Sequence, residues 1–105
     1  MKMVRAIIRP DKEAEVASAL AKANFPALTK WDVLGRGKQQ GVQVGGQVYD
    51  ELSKSMVLVV VEDDQVDSVR QTIEDAAFTS HPGDGKIFVT SVDSAHTIRT
   101  GQAGI

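Results

Sequence analysis

The feature that most restricts the fold is the segment Met56–Val61, six consecutive apolar residues of which four are valine. It is far shorter than the roughly 20 apolar residues that cross a bilayer, and it is β-branched and uncharged, so it predicts a buried strand. Around it the pattern alternates. Met3–Ile8 is a short apolar stretch broken by Arg5 and ended by Arg9-Pro10, because the residue before a proline is pushed to extended geometry. A helix is expected over Lys12–Ala23, capped by Asp11, with Val16, Ala19, Leu20 and Ala23 as its buried stripe and Asn24 and Pro26 closing it. Ala27–Leu34 alternates, with Ala27, Thr29, Trp31 and Val33 on one face, and reads as a second strand. Asp63 or Asp64 is expected to cap a second helix that carries Val66, Val69, Ile73, Ala76 and Ala77 and ends near Phe78. Ile87–Val92 supplies a last strand.

The order strand, helix, strand, strand, helix, strand is that of an α+β, ferredoxin-like βαββαβ sheet with helices on one face. The other face carries apolar residues and must be covered, most simply by partner subunits. At 105 residues the chain is one domain. It has no cysteine, which excludes disulfides, thiolate metal sites and a cysteine nucleophile and fits a reducing, cytoplasmic setting. Twelve basic and 14 acidic residues leave a formal charge of -2, which argues against a generally basic nucleic-acid surface. Neither an export signal nor a membrane span is expected.

All nine glycines fall outside these elements, in three segments. The connection from Gly35 to Ser55 is long, contains five of them, and has no acidic residue before Asp50, while Arg36 and Lys38 sit among glycines and glutamines. Backbone amides and cations can converge there on an anion. Pro82-Gly-Asp-Gly-Lys86 combines two glycines with a lysine entering a strand, a composition suited to phosphate. Neither segment has Walker A or dinucleotide-fingerprint spacing. On the residues alone, an ordinary tight turn and an unstructured loop tip explain them as well. His81 and His96 have no matching carboxylate cluster, and no acid, base or nucleophile constellation indicates an enzyme.

RAIIRPDK at Arg5–Lys12, GRGKQQG at Gly35–Gly41, GDGKIFV at Gly83–Val89 and TIRTG at Thr97–Gly101 together resemble the PII signal-transduction proteins over nearly the whole chain. The resemblance implies a ferredoxin-like trimer with a T-loop at about residues 36–55, a B-loop at about 79–86 and a C-terminal loop at about 93–105 around clefts between subunits. It implies that Thr29, Gly35, Gly37, Lys38, Gly83, Asp84, Gly85 and Lys86 hold ATP or ADP, with Arg99 contributed by a neighbouring subunit. Gln39 would bind Mg²⁺ with ATP and, with Gly41, Lys54 and Arg9, the effector 2-oxoglutarate. Thr97 stands where the family commonly has an arginine. The T-loop is about four residues shorter than the common form, and Tyr49 does not align with the modified tyrosine.

These departures, with the PALTK segment at Pro26–Lys30, look most like the first of the two nitrogenase-associated PII paralogues. That resemblance implies a homotrimer or a hetero-oligomer with a second PII paralogue. It also implies direct inhibition of dinitrogenase, the molybdenum–iron protein, relieved by 2-oxoglutarate with ATP. The alternatives are a classical PII regulator of an ammonium channel or metabolic enzyme, and a PII-like nucleotide or bicarbonate sensor.

Overall fold

A computed structural model describes residues 1–36 and 51–105 in full and, within the intervening segment, the backbone of two short strands. The elements are β1 (Lys2–Ile8), α1 (Glu13–Lys22), β2 (Thr29–Gly35), β3 (Val42–Val44), β4 (Gln47–Tyr49), β5 (Leu52–Val61), α2 (Val66–Ala77) and β6 (Gly85–Ser91). Four strands form one antiparallel sheet in the order β2-β5-β1-β6, and β3 and β4 pair as a separate hairpin. This is the expected ferredoxin-like arrangement. The hairpin was not foreseen, and β5 begins four residues before the apolar run at Met56, so Leu52–Ser55 belong to the sheet and not to the long connection.

The core follows the period of two. Val4, Ala6 and Ile8 of β1 and Val57, Val59 and Val61 of β5 lie on the helix side and are buried against Val16 and Leu20 of α1 and Val69, Ile73 and Ala77 of α2. The helix residues recur at i and i+4, so each helix presents one apolar stripe to that side. On the opposite side the register aligns Trp31 with Met56 and Ile7, and Leu58 with Arg5 and Phe88. Trp31 and Phe88 are 41% and 47% exposed there, so that face is apolar and uncovered within the single chain.

The helix ends are set differently from the sequence expectation. Neither Asp11 nor Asp63 nor Asp64 caps a helix: each helix is entered through a single 3-10 turn, Pro10–Lys12 before α1 and Asp63–Gln65 before α2. At the second turn Gln65 Oε1 accepts from the Glu62 amide at 3.1 Å, and Asp63 instead binds the N-terminal ammonium at 2.9 Å. The C-terminus of α1 closes as expected at Asn24. Its φ of 71° lets the Phe25 amide reach Leu20 O at 2.8 Å and the Asn24 amide reach Ala21 O at 3.1 Å, a Schellman closure.

β6 pairs with β1 down to Gly85 opposite Ile8. Gly85 has φ +111°, and a Cβ there would lie 1.7 Å from the carbonyl oxygen of Ile7. Gly104 has a similar φ, +104°, in open space. Gly85→Ala is therefore expected to cost about 3 kcal/mol or more in urea denaturation at fixed protein concentration, and Gly104→Ala only the backbone strain of about 1 kcal/mol. Equal losses in the two variants would show that close strand approach is not what the glycine serves.

Candidate functional site

The end of α2 runs into a loop, Phe78–Asp84, that turns back into β6. Ser80 and Gly83 both adopt positive φ, 71° and 98°, so the loop coils tightly. Its organising group is the Asp84 carboxylate. Oδ2 accepts from the backbone amides of Thr79 at 2.7 Å and Ser80 at 3.2 Å, and Oδ1 accepts from the Thr79 hydroxyl and from Arg9 Nε, the latter at 3.0 Å. Each oxygen thus has two donors. Chiefly the Thr79 hydroxyl, then the Thr79 amide, hold this carboxyl well below the ordinary carboxylate range against the opposing effect of burial, and the Arg9 guanidinium adds to them.

Two cations from other strands close over the loop. Arg9, one residue past β1, also donates from Nη2 to Pro82 O at 2.8 Å. Lys54, on β5, donates from Nζ to Gly83 O at 2.6 Å. Burial, and next the Arg9 guanidinium, push the Lys54 ammonium below its usual value, with Asp84 partly offsetting them. Two positive groups held together at some cost make a site where an arriving anion relieves repulsion as well as forming hydrogen bonds. At the end of β2, a Cβ on Gly35 would lie 3.4 Å from Lys54 Cγ, so the start of the long connection sits against the same lysine.

A family model described as Nitrogen regulatory protein P-II matches residues 1–102. The chain belongs to the P-II family. It is 51% identical, over the full length of both chains, to the Nitrogen fixation nifHD region GlnB-like protein 1 of Methanothermobacter marburgensis. A protein of the same description from Methanococcus maripaludis is also 51% identical over both full lengths. Nitrogen regulatory protein P-II 2 of Methanothermobacter thermautotrophicus is 44% identical over 99% of this chain and 94% of its own. The chain is thus a non-enzymatic nitrogen regulatory protein, of the kind of the nifHD-region GlnB-like proteins 1.

Of the residues singled out from the sequence, Arg9, Lys54, Gly83 and Asp84 come together in the P-II fold, with Gly85 and Lys86 continuing the loop into β6. Thr29 opens β2, exposed and paired with Leu58. Arg99 is exposed at the tip of a turn closed by the Thr97 amide on Gln102 O at 2.9 Å and the Gly101 amide on Thr97 O at 2.7 Å. Among the described residues no hydrogen bond or ion pair joins Arg99 to the loop. Gly37, Lys38, Gln39 and Gly41 lie outside the described residues, as do the side chains of Val42 and Tyr49.

Sequence reasoning missed Thr79, whose only signal is its place five residues before Asp84. Asp84, expected in the nucleotide-binding loop, has its carboxylate bonded to Thr79, Ser80 and Arg9 in the single chain. No group of three or more His, Cys, Asp or Glu among the described residues could hold a metal ion. No helix among them is long and apolar enough to cross a membrane. A depression of about 510 Å³ between α1 and α2, lined by Ala19, Lys22, Ala23, Thr72, Asp75 and Ala76, shares no residue with the cation cluster.

The depressed carboxyl has a pH consequence of definite sign. Its contribution to loop stability is present above the unfolded-chain value near 4 and is lost as pH falls through the lower folded value. NMR titration of the Asp84 side-chain carbon is expected to show no inflection between pH 7 and about pH 4. Thr79→Val, which removes the hydroxyl donor, should move the inflection upward. An Asp84 that titrates near pH 4 in both proteins would contradict the bracing role.

Proposed function

We propose that this chain senses nitrogen status by binding ATP or ADP and 2-oxoglutarate at the base of the long connection between β2 and β5, and that this connection is its output element. The observation that carries the reading is the convergence of Lys54, Gly35 and the Gly83–Lys86 loop at one end of the sheet. A glycine loop with positive-φ residues offers amides to phosphate, and Lys86, exposed at the start of β6, adds a charge. Lys54 is the cation for an effector carboxylate. Thr29, Gly35, Gly37 and Lys38 complete the nucleotide site, and Arg99 reaches it from a neighbouring subunit. The half-exposed apolar sheet face around Trp31, Phe88, Met56 and Leu58 supports a trimer, or a mixed oligomer with a second P-II protein.

Mg²⁺ belongs to the nucleotide in this reading. Asp84 has both oxygens occupied by donors, so Mg²⁺ arriving with the nucleotide would be held by Gln39 and the nucleotide itself rather than by a carboxylate cage. When bound, the metal supplies charge neutralisation between triphosphate and dicarboxylate. 2-Oxoglutarate is accordingly expected to bind measurably only when Mg-ATP is present, and by reciprocity to tighten ATP by the same factor. Calorimetry giving equal 2-oxoglutarate affinity with and without nucleotide would overturn the shared site.

The names of the relatives tie those proteins to a nitrogen fixation nifHD region, and on that support the target assigned here is dinitrogenase, inhibited directly and released by 2-oxoglutarate with ATP. An effector at the base of the connection need only favour a competing loop shape, and coupling of about 1 to 3 kcal/mol changes partner affinity some 5- to 150-fold. Acetylene reduction by purified dinitrogenase and its reductase should be inhibited by this protein with a second P-II paralogue, and the inhibition should be relieved by Mg-ATP with 2-oxoglutarate. Deleting residues 42–48 should abolish inhibition and leave ATP binding intact. Full inhibition by the deletion variant would remove the loop as the output, and none by the intact pair would remove dinitrogenase as the target.

A further inference from the structure

Where the four-stranded sheet gives way to the long connection, its last rungs are held by two strands alone. β5 pairs with β1 only as far as Ser55 opposite Ile8, while its pairing with β2 continues through Lys54 opposite Val33, Ser53 opposite Leu34 and Leu52 opposite Gly35. Those rungs form a two-stranded stem that projects past the sheet and carries Lys54. We infer that Glu13, Lys30 and Ser55 form a clasp at the root of this stem, fixing its direction and thereby positioning Lys54 over the 79–86 loop. The inference deepens the effector reading above and rests on it for its ligand measurements only.

A two-stranded ribbon has little stability of its own in water. Nor do the helices cover this one: on the helix side Leu34 is 70% exposed, and Ser53 opposite it is exposed too. Ser55 is the boundary. It is the last residue toward the stem with strand partners on both sides, Asp32 and Ile8, and the first residue of β5 to be buried. Lys54 moves with the stem, because its aliphatic part lies against Gly35 of the facing strand, where a Cβ would stand 3.4 Å from Cγ. A tilt at the root would therefore swing Lys54 Nζ away from Gly83 O, which it reaches at 2.6 Å.

The clasp joins three elements at that level. Glu13, the first residue of α1, pairs with Lys30 Nζ of β2 at 2.8 Å, and its side chain is only 23% exposed. Ser55 is 1% exposed, and its Oγ has no hydrogen-bond partner of full geometry among the described residues. The hydroxyl is directed at the same carboxylate: chiefly Lys30, and next the Ser55 hydroxyl, hold Glu13 below its ordinary value against the effect of burial. A buried hydroxyl without a settled partner costs free energy that an apolar side chain would avoid, and an ion pair so near the surface adds little stability. What the trio supplies is direction. A carboxylate on a helix end, approached from the edge strand by an ammonium and from the inner strand by a hydroxyl, meets both at one angle of the stem.

Lysine-ammonium NMR and amide hydrogen exchange on the ligand-free protein test the clasp directly. In Glu13→Gln the Lys54 ammonium resonance, protected in the unmodified protein by its bond to Gly83 O, should broaden away. Amide exchange over residues 33–35 and 52–54 should quicken about tenfold in that variant, while that of α2 stays within about twofold. Ser55→Ala should move both readouts the same way by a smaller amount. The exchanged pair, Glu13→Lys with Lys30→Glu, restores opposite charges across the same gap and should bring both readouts back toward those of the unmodified protein. At saturating Mg-ATP the 2-oxoglutarate Kd should rise about tenfold in Glu13→Gln and return to within about threefold in the exchanged pair.

An unmoved Lys54 resonance in Glu13→Gln overturns the inference even where the stem exchanges faster, since the trio would then serve structure alone. An exchanged pair that folds and still behaves as Glu13→Gln does overturns it as well. Should Glu13→Gln fail to fold, Glu13→Asp keeps the charge and shortens the reach by a methylene: a loosened stem with a broadened Lys54 resonance supports the clasp, and an unmoved resonance overturns it. If the unmodified protein binds neither ligand, the effector reading fails, and the ligand-free readouts alone then decide whether the clasp holds Lys54.

Discussion

The register of the central strand governs the site. Ile8 of β1 faces Ser55 of β5 on one side and Gly85 of β6 on the other, so one residue further along Arg9 is level with Lys54 and Asp84. Three chain segments that are remote in sequence are brought to one end of the sheet by this pairing. A slip of one residue would turn Arg9 toward the other face and bring Val4, Ala6 and Ile8 out of the core, so burial of the apolar side enforces the site's geometry. The close approach at Gly85, where no side chain fits over the Ile7 carbonyl, lets β6 start directly after the loop.

At that end of the sheet the charges are arranged unequally. Asp84 is held ionised by four donors, two of them backbone amides of its own loop, and anchors a short segment that would otherwise have little to order it. Arg9 is tied to that anion. Lys54 donates to a neutral carbonyl, and burial and the Arg9 charge disfavour its ammonium while Asp84 partly offsets them. A loop braced from within in this way has little conformational entropy left to lose in any contact it makes.

The two faces of the sheet have different tasks. The helix side is closed by local patterns, stripes of Val, Leu and Ile at i and i+4 against alternating strand residues. The other side displays Trp31, Phe88, Met56 and Leu58 without cover in the single chain, although these residues alternate as regularly as those of the core. That face is open in the single chain, and the C-terminal turn that carries Arg99 is exposed as well.

By itself the sequence determined the succession of the four strands of the main sheet and the two helices, the closure of α1 at Asn24, the three glycine segments and the family, because each is written in local periodicity, in a short run of residues or in an ordered set of motifs. Only the tertiary structure decided who meets whom. Asp63 reads as a cap yet serves the N-terminal ammonium 62 residues away, and Asp84 meets Arg9 from 75 residues away. Lys54 reaches Gly83 O across 29 residues. Carboxylates and cations are indifferent to their own neighbours in sequence and take the strongest partner that strand register brings within about 3 Å, and register is a property of the whole sheet.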